Sequence, residues 1–250
     1  MSDLFTFVDE YIDYYGLVNE SDSLYVYNNT KVPRTTEILS AMLHEENLMS
    51  WSNWLGKYKR EDYKKYLEMA STIGNYVHNF IVDYIQYGRE HSKEEIMWYT
   101  MAEKVFNAFD SFKQWWISLN DSRKVEVIFQ EKKLICPYFG GTLDLLLKLD
   151  DEEIWLIDFK SSNHPSYKYF LQLASYLHML KKYHSIEVDK CCILMLNKNK
   201  VKHEMLTVDL HKEKDFEFMK TCEREFLILV EAYLARLKTE CMYRDLLGLK

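Results

Sequence analysis

One segment limits this fold more than any other: Glu153-Ile-Trp-Leu-Ile-Asp-Phe-Lys160 is apolar on both faces of an extended strand. Trp155, Ile157 and Phe159 point one way, and Ile154 and Leu156 the other. A strand with two apolar faces must be covered on both sides, so it lies at the centre of a sheet with helices above and below. Asp158 and Lys160 then share a face at its end, where a charge is rarely buried without a partner or a purpose.

A second strand-like run covers Leu143 to Leu149. Gly140 and Gly141 precede it and permit a tight bend or a close backbone approach. Asp150-Asp-Glu-Glu153 supplies a polar hairpin turn between the two strands. Antiparallel pairing around that turn brings Asp144 to the same sheet end as Asp158. Two carboxylates are hard ligands that suit Mg²⁺ or Mn²⁺. A cation there activates water, and Lys160 orients that water or neutralises developing charge. An Asp and a Lys two apart on a strand are more often a surface pair or a salt bridge; the glycine-led Asp144 is what favours chemistry.

These pieces resemble the PD-(D/E)XK nuclease superfamily in its RecB-like exonuclease branch. The likeness rests on Gly141-Thr142-Leu143-Asp144, Asp158-Phe159-Lys160 and Gln172-Leu-Ala-Ser-Tyr176, in order, over roughly residues 124–200. The resemblance implies that Asp144 and Asp158 hold the metal, with the Phe159 carbonyl as a further ligand, and that Lys160 assists the attacking water. Gln172 and Tyr176 hold the substrate strand or the lysine, and Lys168, Gly141 and Thr142 join them on the substrate side. It also implies a metal-binding histidine in the pattern Gly74-Asn-Tyr-Val-His78, whose ends are four apart and share a helix face. A lone histidine of this kind is otherwise an ordinary helix residue. The family uses a glutamate on the preceding strand; Glu131 is nearer the expected distance, and Glu126 is the alternative. Val32-Pro-Arg-Thr-Thr-Glu-Ile-Leu39 with Trp51, Trp54, Leu55 and Gly56 is similar to the helical lead-in of phage RecB-like and mitochondrial genome maintenance exonucleases.

The expected fold class is α/β (α+β): a restriction-endonuclease-like core, its central mixed sheet flanked by helices, with a helical N-terminal lobe. The boundary falls at Asn120-Asp-Ser122, giving a helical lobe over 1–120, which carries His78, and a nuclease core with a C-terminal helix over 121–250. In the lobe, helices are expected over 3–15, from Thr35 or Thr36 through about Leu43, from about 47 to 87 with a break near 56–61, and from a Ser92/Glu95 capping box to about Leu119; a short strand is expected at 22–28. In the core, strands are expected at 124–131, 133–136, 142–149, 153–160, 189–197 and 201–209. Helices are expected from Pro165-Ser166 to about Tyr183 and over 211–238, the latter with Phe216, Met219, Phe226, Val230, Tyr233 and Leu237 inward.

Composition narrows the function classes only a little. A net charge of −7 does not advertise nucleic-acid binding, though an acidic metal site lowers the total. Basic runs occur at Lys57-Tyr-Lys-Arg60 with Lys64 and Lys65, at Lys181-Lys182, and at Lys198-Asn-Lys200-Val-Lys202. Aromatics beside the first suit single strands, where bases stack and phosphates pair; the plainer reading of each run is a solvated face. Cysteines at 136, 191, 192, 222 and 241 form no CxxC pair, so no iron–sulfur cluster is expected. With no run of eighteen apolar residues, no secretory signal and no clear transit peptide, the expectation is an intracellular, soluble protein without a membrane partner.

The reading that results is a Mg²⁺- or Mn²⁺-dependent DNA nuclease, an exonuclease preferring single-stranded DNA or a free end. The alternatives are a structure-specific endonuclease or RNA nuclease on the same site, and an inactive nucleic-acid-binding protein. DNA replication, repair, recombination and viral DNA processing all suit such an enzyme.

Overall fold

The computed structural model describes residues 25–43, 57, 63–96, 99–162 and 164–248. The helix expected over 3–15, and the tryptophans and most of the basic run between 51 and 62, lie outside the described residues.

A β-hairpin opens the described chain, β1 (Val26–Tyr27) and β2 (Thr30–Lys31), turned by Asn28 and Asn29 with φ of 46° and 67°. Both turn residues are left-handed, as a tight two-residue hairpin requires. Helix α1 (Thr35–Met42) follows, then α2 (Tyr63–Tyr87), a single 3₁₀ turn at Lys93–Glu95 and α3 (Tyr99–Ser122). Strands β3 (Val125–Ile135), β4 (Gly140–Leu149) and β5 (Glu153–Lys160) form an antiparallel meander. Helix α4 (Tyr167–His184) crosses to β6 (Lys190–Leu196), which runs parallel to β5. Strand β7 (His203–Asp209) pairs antiparallel with β6, and α5 (Glu213–Leu246) ends the described chain.

The five strands lie in sequence order, so β5 is central. Its two apolar faces enter two separate cores. Trp155, Ile157 and Phe159 pack with Leu145, Leu147 and Leu194 beneath α2 and α3. Leu156 packs on the opposite side with Leu134, Leu146 and Ile193, covered by α1, α4 and α5. This is a mixed sheet flanked by helices, the arrangement of a restriction-endonuclease-like core. Among the described residues no helix is long and apolar enough to cross a membrane.

Several expected boundaries move, each for a local reason. The strands expected at 124–131 and 133–136 are one strand: pairing with β4 runs through Lys132 and Lys133 to Ile135, with one irregularity between Val127 and Phe129. Helix α3 runs through the polar stretch 120–122, where Asn120 Nδ2 and Ser122 Oγ donate to their own helix's carbonyls at Trp116 and Ser118, both at 2.8 Å. The Ser92/Glu95 box closes the 3₁₀ turn; the long helix begins later, at Tyr99. Thr35 is the first residue of α1 rather than its cap, and its hydroxyl turns inward to Ser175 and Gly140. Helix α5 extends beyond 238, and Phe216, expected inward, is exposed.

Candidate active site

The site forms where β4 and β5 part. Their pairing ends at Leu145↔Ile157, so Asp144 and Asp158 lie just past the last ladder rung. Asp144 Oδ2 accepts the Phe159 N–H at 2.6 Å, replacing the backbone bond that the parting strands give up. The strand alternation slips here: Leu143 and Leu146 both enter the α4/α5 core, while Leu145 enters the other. Glu131 sits between the β3–β4 pairs Gln130↔Leu145 and Lys132↔Leu143, level with Asp144. Its φ of 45° is unusual for a non-glycine residue and aims its side chain off the strand's normal course.

Helix α2 brings His78 across the sheet end. Its Nδ1 lies 3.4 Å from Glu131 Oε1 and 3.6 Å from Asp144 Oδ1, and its ring packs edge-on against Phe159. One ligand atom each from His78, Glu131 and Asp144 can gather within 4.8 Å, a group able to hold a metal ion. Asp158, 1% exposed, lies 2.7 Å from Lys160 Nζ. The Lys160 ammonium is thus the partner of Asp158 Oδ2, while Oδ1 has no hydrogen-bond donor among the described residues. A buried carboxylate left in this state suits an oxygen-seeking cation nearby.

The lysine is held from behind. Lys160 Nζ donates to Gln172 Oε1 at 3.0 Å, and Gln172 Nε2 donates to the Tyr176 hydroxyl at 2.9 Å. Both residues sit on α4, whose Ser166 cap accepts the Lys168 N–H. Tyr176 is 2% exposed, so the structure turns it and Gln172 toward the lysine rather than the solvent. Gly141 makes room for this: a Cβ there would stand 2.5 Å from the Tyr176 ring. Thr142 Oγ1 is bonded to the Tyr25 hydroxyl, and Lys168 Nζ donates to the Leu43 carbonyl. Glu126 lies opposite Lys148, well down the strand from this cluster.

Burial and mutual charge set the protonation pattern. Burial works to lower the His78 pKa, but Asp144, Glu131 and Asp158 together outweigh it and raise it to about 9. Burial pushes Asp158 up to about 6, and Asp144 also upward, against the pull of Lys160 and His78. For Lys160 burial works downward, yet Asp158 and Asp144 raise its pKa overall. Before any cation arrives, histidine and lysine are therefore both charged at neutral pH, and Lys160 acts as a donor rather than a base.

A cleft of about 930 Å³ opens over the cluster. His78, Glu131, Phe159 and Lys160 line it, together with Arg34, Thr36, Asn75, Asn79, Ser161 and Lys198, none of them among the expected site residues. One sequence signal marks part of this wall. Ser71, Gly74, Asn75, His78 and Asn79 repeat at helical spacing, forming a small, polar stripe on α2 away from Ile73, Val77 and Phe80.

No family model matches the sequence, and no curated protein matches it. Among solved structures, the chain is similar to an alkaline exonuclease, LHK-Exo, from Laribacter hongkongensis, with a TM-score of 0.34 and 14% identity over 53% of this chain and 69% of that one. LHK-Exo in complex with dAMP matches with a TM-score of 0.35 and 15% identity, over 68% and 85% of the two chains. SSO0001 matches with a TM-score of 0.27 and 12% identity, over 63% and 74%. All three likenesses are distant.

Proposed function

We propose that this chain is a divalent-metal-dependent nuclease of the PD-(D/E)XK superfamily, RecB-like branch, that hydrolyses DNA from single-stranded ends. One observation carries the reading: two buried carboxylates lie behind a histidine, a glutamate and a lysine that line an open cleft. Nothing structural requires so many ionisable groups at one sheet end, and leaving them there costs stability. The motif order Asp144, Asp158, Lys160, Gln172, Tyr176 supports the same family.

His78, Glu131 and Asp144 would hold the cation, with Asp158 and the Phe159 carbonyl beside them, and Mg²⁺ or Mn²⁺ suits these mostly hard donors. When bound, such an ion supplies a Lewis acid and lowers the pKa of water. Asp144 spends Oδ2 on the Phe159 N–H, which orients Oδ1 toward His78. Gln172, braced by Tyr176, fixes the Lys160 ammonium at the cleft floor. From there Lys160 donates to the attacking water and offsets negative charge growing on the phosphate.

The test is degradation of end-labelled single-stranded DNA with Mg²⁺, Mn²⁺ or EDTA, beside a circular single strand. Metal-dependent loss of the linear strand alone is expected, with Lys160→Ala slower by roughly 10²–10⁴-fold and equally folded by circular dichroism. Cutting of the circle would replace the exonuclease reading with an endonuclease. Full activity of Lys160→Ala would dismiss the site.

A further inference from the structure

The basic run Lys198-Asn-Lys200-Val-Lys202 has no part in the cluster described above, yet its first residue reaches the cleft. The run forms the connection between β6 and β7, and α3 pins that connection at two points. Asn107 Nδ2 donates to the Lys198 carbonyl at 3.2 Å, and the Lys202 N–H donates to Ser111 Oγ at 2.8 Å. Asn197 Oδ1 closes the turn by accepting the N–H groups of Asn199 and Lys200. The loop is thus held against a helix, with Lys198 half-buried on the cleft wall while Lys200 remains exposed.

The surroundings of Lys198 are unusual for a half-buried cation. Burial acts first on its ammonium and the positive charge of Lys104 second, and both lower its pKa. No carboxylate is among the influences on the Lys198 ammonium. A partly desolvated like-charge pair is unfavourable alone and becomes favourable when an anion sits between or before it. The cleft floor already carries the acidic cluster, so a cation on the wall is placed for a different part of the substrate than the reacting phosphate.

We propose that Lys198 is a phosphate-binding residue on the cleft wall that grips a backbone phosphate of the substrate strand next to the one being cut. This rests on the nuclease reading and deepens it. Lys198 is a positioning residue: it holds the strand in register with Lys160 and takes no part in bond breaking. A single phosphate contact contributes a salt-dependent increment to binding, a slope of about 0.7 per phosphate for a single strand.

The experiment compares wild type, Lys198→Ala, Lys198→Arg and Lys200→Ala in steady-state cleavage of single-stranded DNA across a salt series, with fluorescence anisotropy of the same oligonucleotide and thermal melting. Lys198→Ala is expected to raise KM by roughly five- to tenfold with kcat within about twofold, and to make the salt slope shallower by about 0.7. Lys198→Arg keeps the wild-type KM, and Lys200→Ala behaves as wild type. The melting temperature of Lys198→Ala stays equal or rises, because an uncompensated charge has been removed. If wild type cleaves and Lys198→Ala matches Lys200→Ala in KM and slope, the inference is overturned while the nuclease reading stands. If wild type binds the oligonucleotide without cleaving it and Lys198→Ala weakens binding with the shallower slope, the inference holds and the nuclease reading falls. Neither cleavage nor binding by wild type overturns both, and a melting temperature several degrees lower in Lys198→Ala would make the residue structural and overturn the inference.

Discussion

His78 is the residue whose chemistry depends most on its neighbours. With its pKa raised to about 9, it is an imidazolium at neutral pH, and a cation that takes its nitrogen must expel a proton. Affinity for Mn²⁺ should therefore climb about tenfold per pH unit toward 9 and then level off. Calorimetric titrations at several pH values, in buffers of different ionisation heat, should show about one proton released per ion. A flat affinity would remove His78 from the ligand set. The sign for folding is opposite. A pKa raised from 6.5 to about 9 contributes stability that is full below 6.5 and lost as pH rises through 9, so in EDTA the melting temperature should fall over that window. Glu131 carries a different strain, a left-handed φ of 45°. Glu131→Gly and Glu131→Ala both delete the carboxylate, but the glycine variant should be more stable by about 1 kcal/mol in a denaturant titration, since only it accepts that conformation freely.

At the scale of elements, two glycines show how close approach and open space differ. Gly141 on β4 lies against the Tyr176 ring, with Thr35 Oγ1 also 3.2 Å from where a Cβ would be. That ring is buried and cannot swing aside, so Gly141→Ala should cost about 1–3 kcal/mol. On the nuclease reading proposed above it should also lower kcat, because Tyr176 braces Gln172 and Gln172 braces Lys160. Gly74 on α2 faces the cleft, and its nearest neighbour would be Ser161 Oγ at 3.8 Å. Gly74→Ala should instead stabilise the protein by up to about 1 kcal/mol through helix propensity. Melting curves of the two variants moving in the same direction would contradict this account.

Across the whole molecule, α2 and α3 are one wall of the core rather than an appendage. Val105, Phe109 and Phe112 close the sheet face made by Leu145, Leu147, Trp155, Ile157 and Phe159. A fragment beginning at residue 121 would expose that face and is expected to aggregate or remain unfolded, while the intact chain melts in a single transition. Phe112→Ala, which opens a cavity at this junction, should cost about 3–5 kcal/mol. Independent folding of the 121–250 fragment, seen by dispersed amide resonances, would show that the helices are dispensable.

The apolar pattern of β5 by itself determined a central strand and a two-sided core, because a strand with two apolar faces has no other stable place. Glycines and acidic residues marked the ends of β4 in the same way, through backbone freedom and turn chemistry. Helix α3 runs past the end expected near Leu119 because asparagine and serine can bond their own helix as readily as end it. Tertiary structure alone decided that Glu131 stands level with Asp144, since this depends on the irregularity at Val127/Phe129 and on pairing across a strand. It alone decided that His78 lies with Glu131 and Asp144, and that Lys198 reaches the cleft wall. Periodicity tells which face a side chain leaves from; which groups then meet is set by packing between elements distant in the chain.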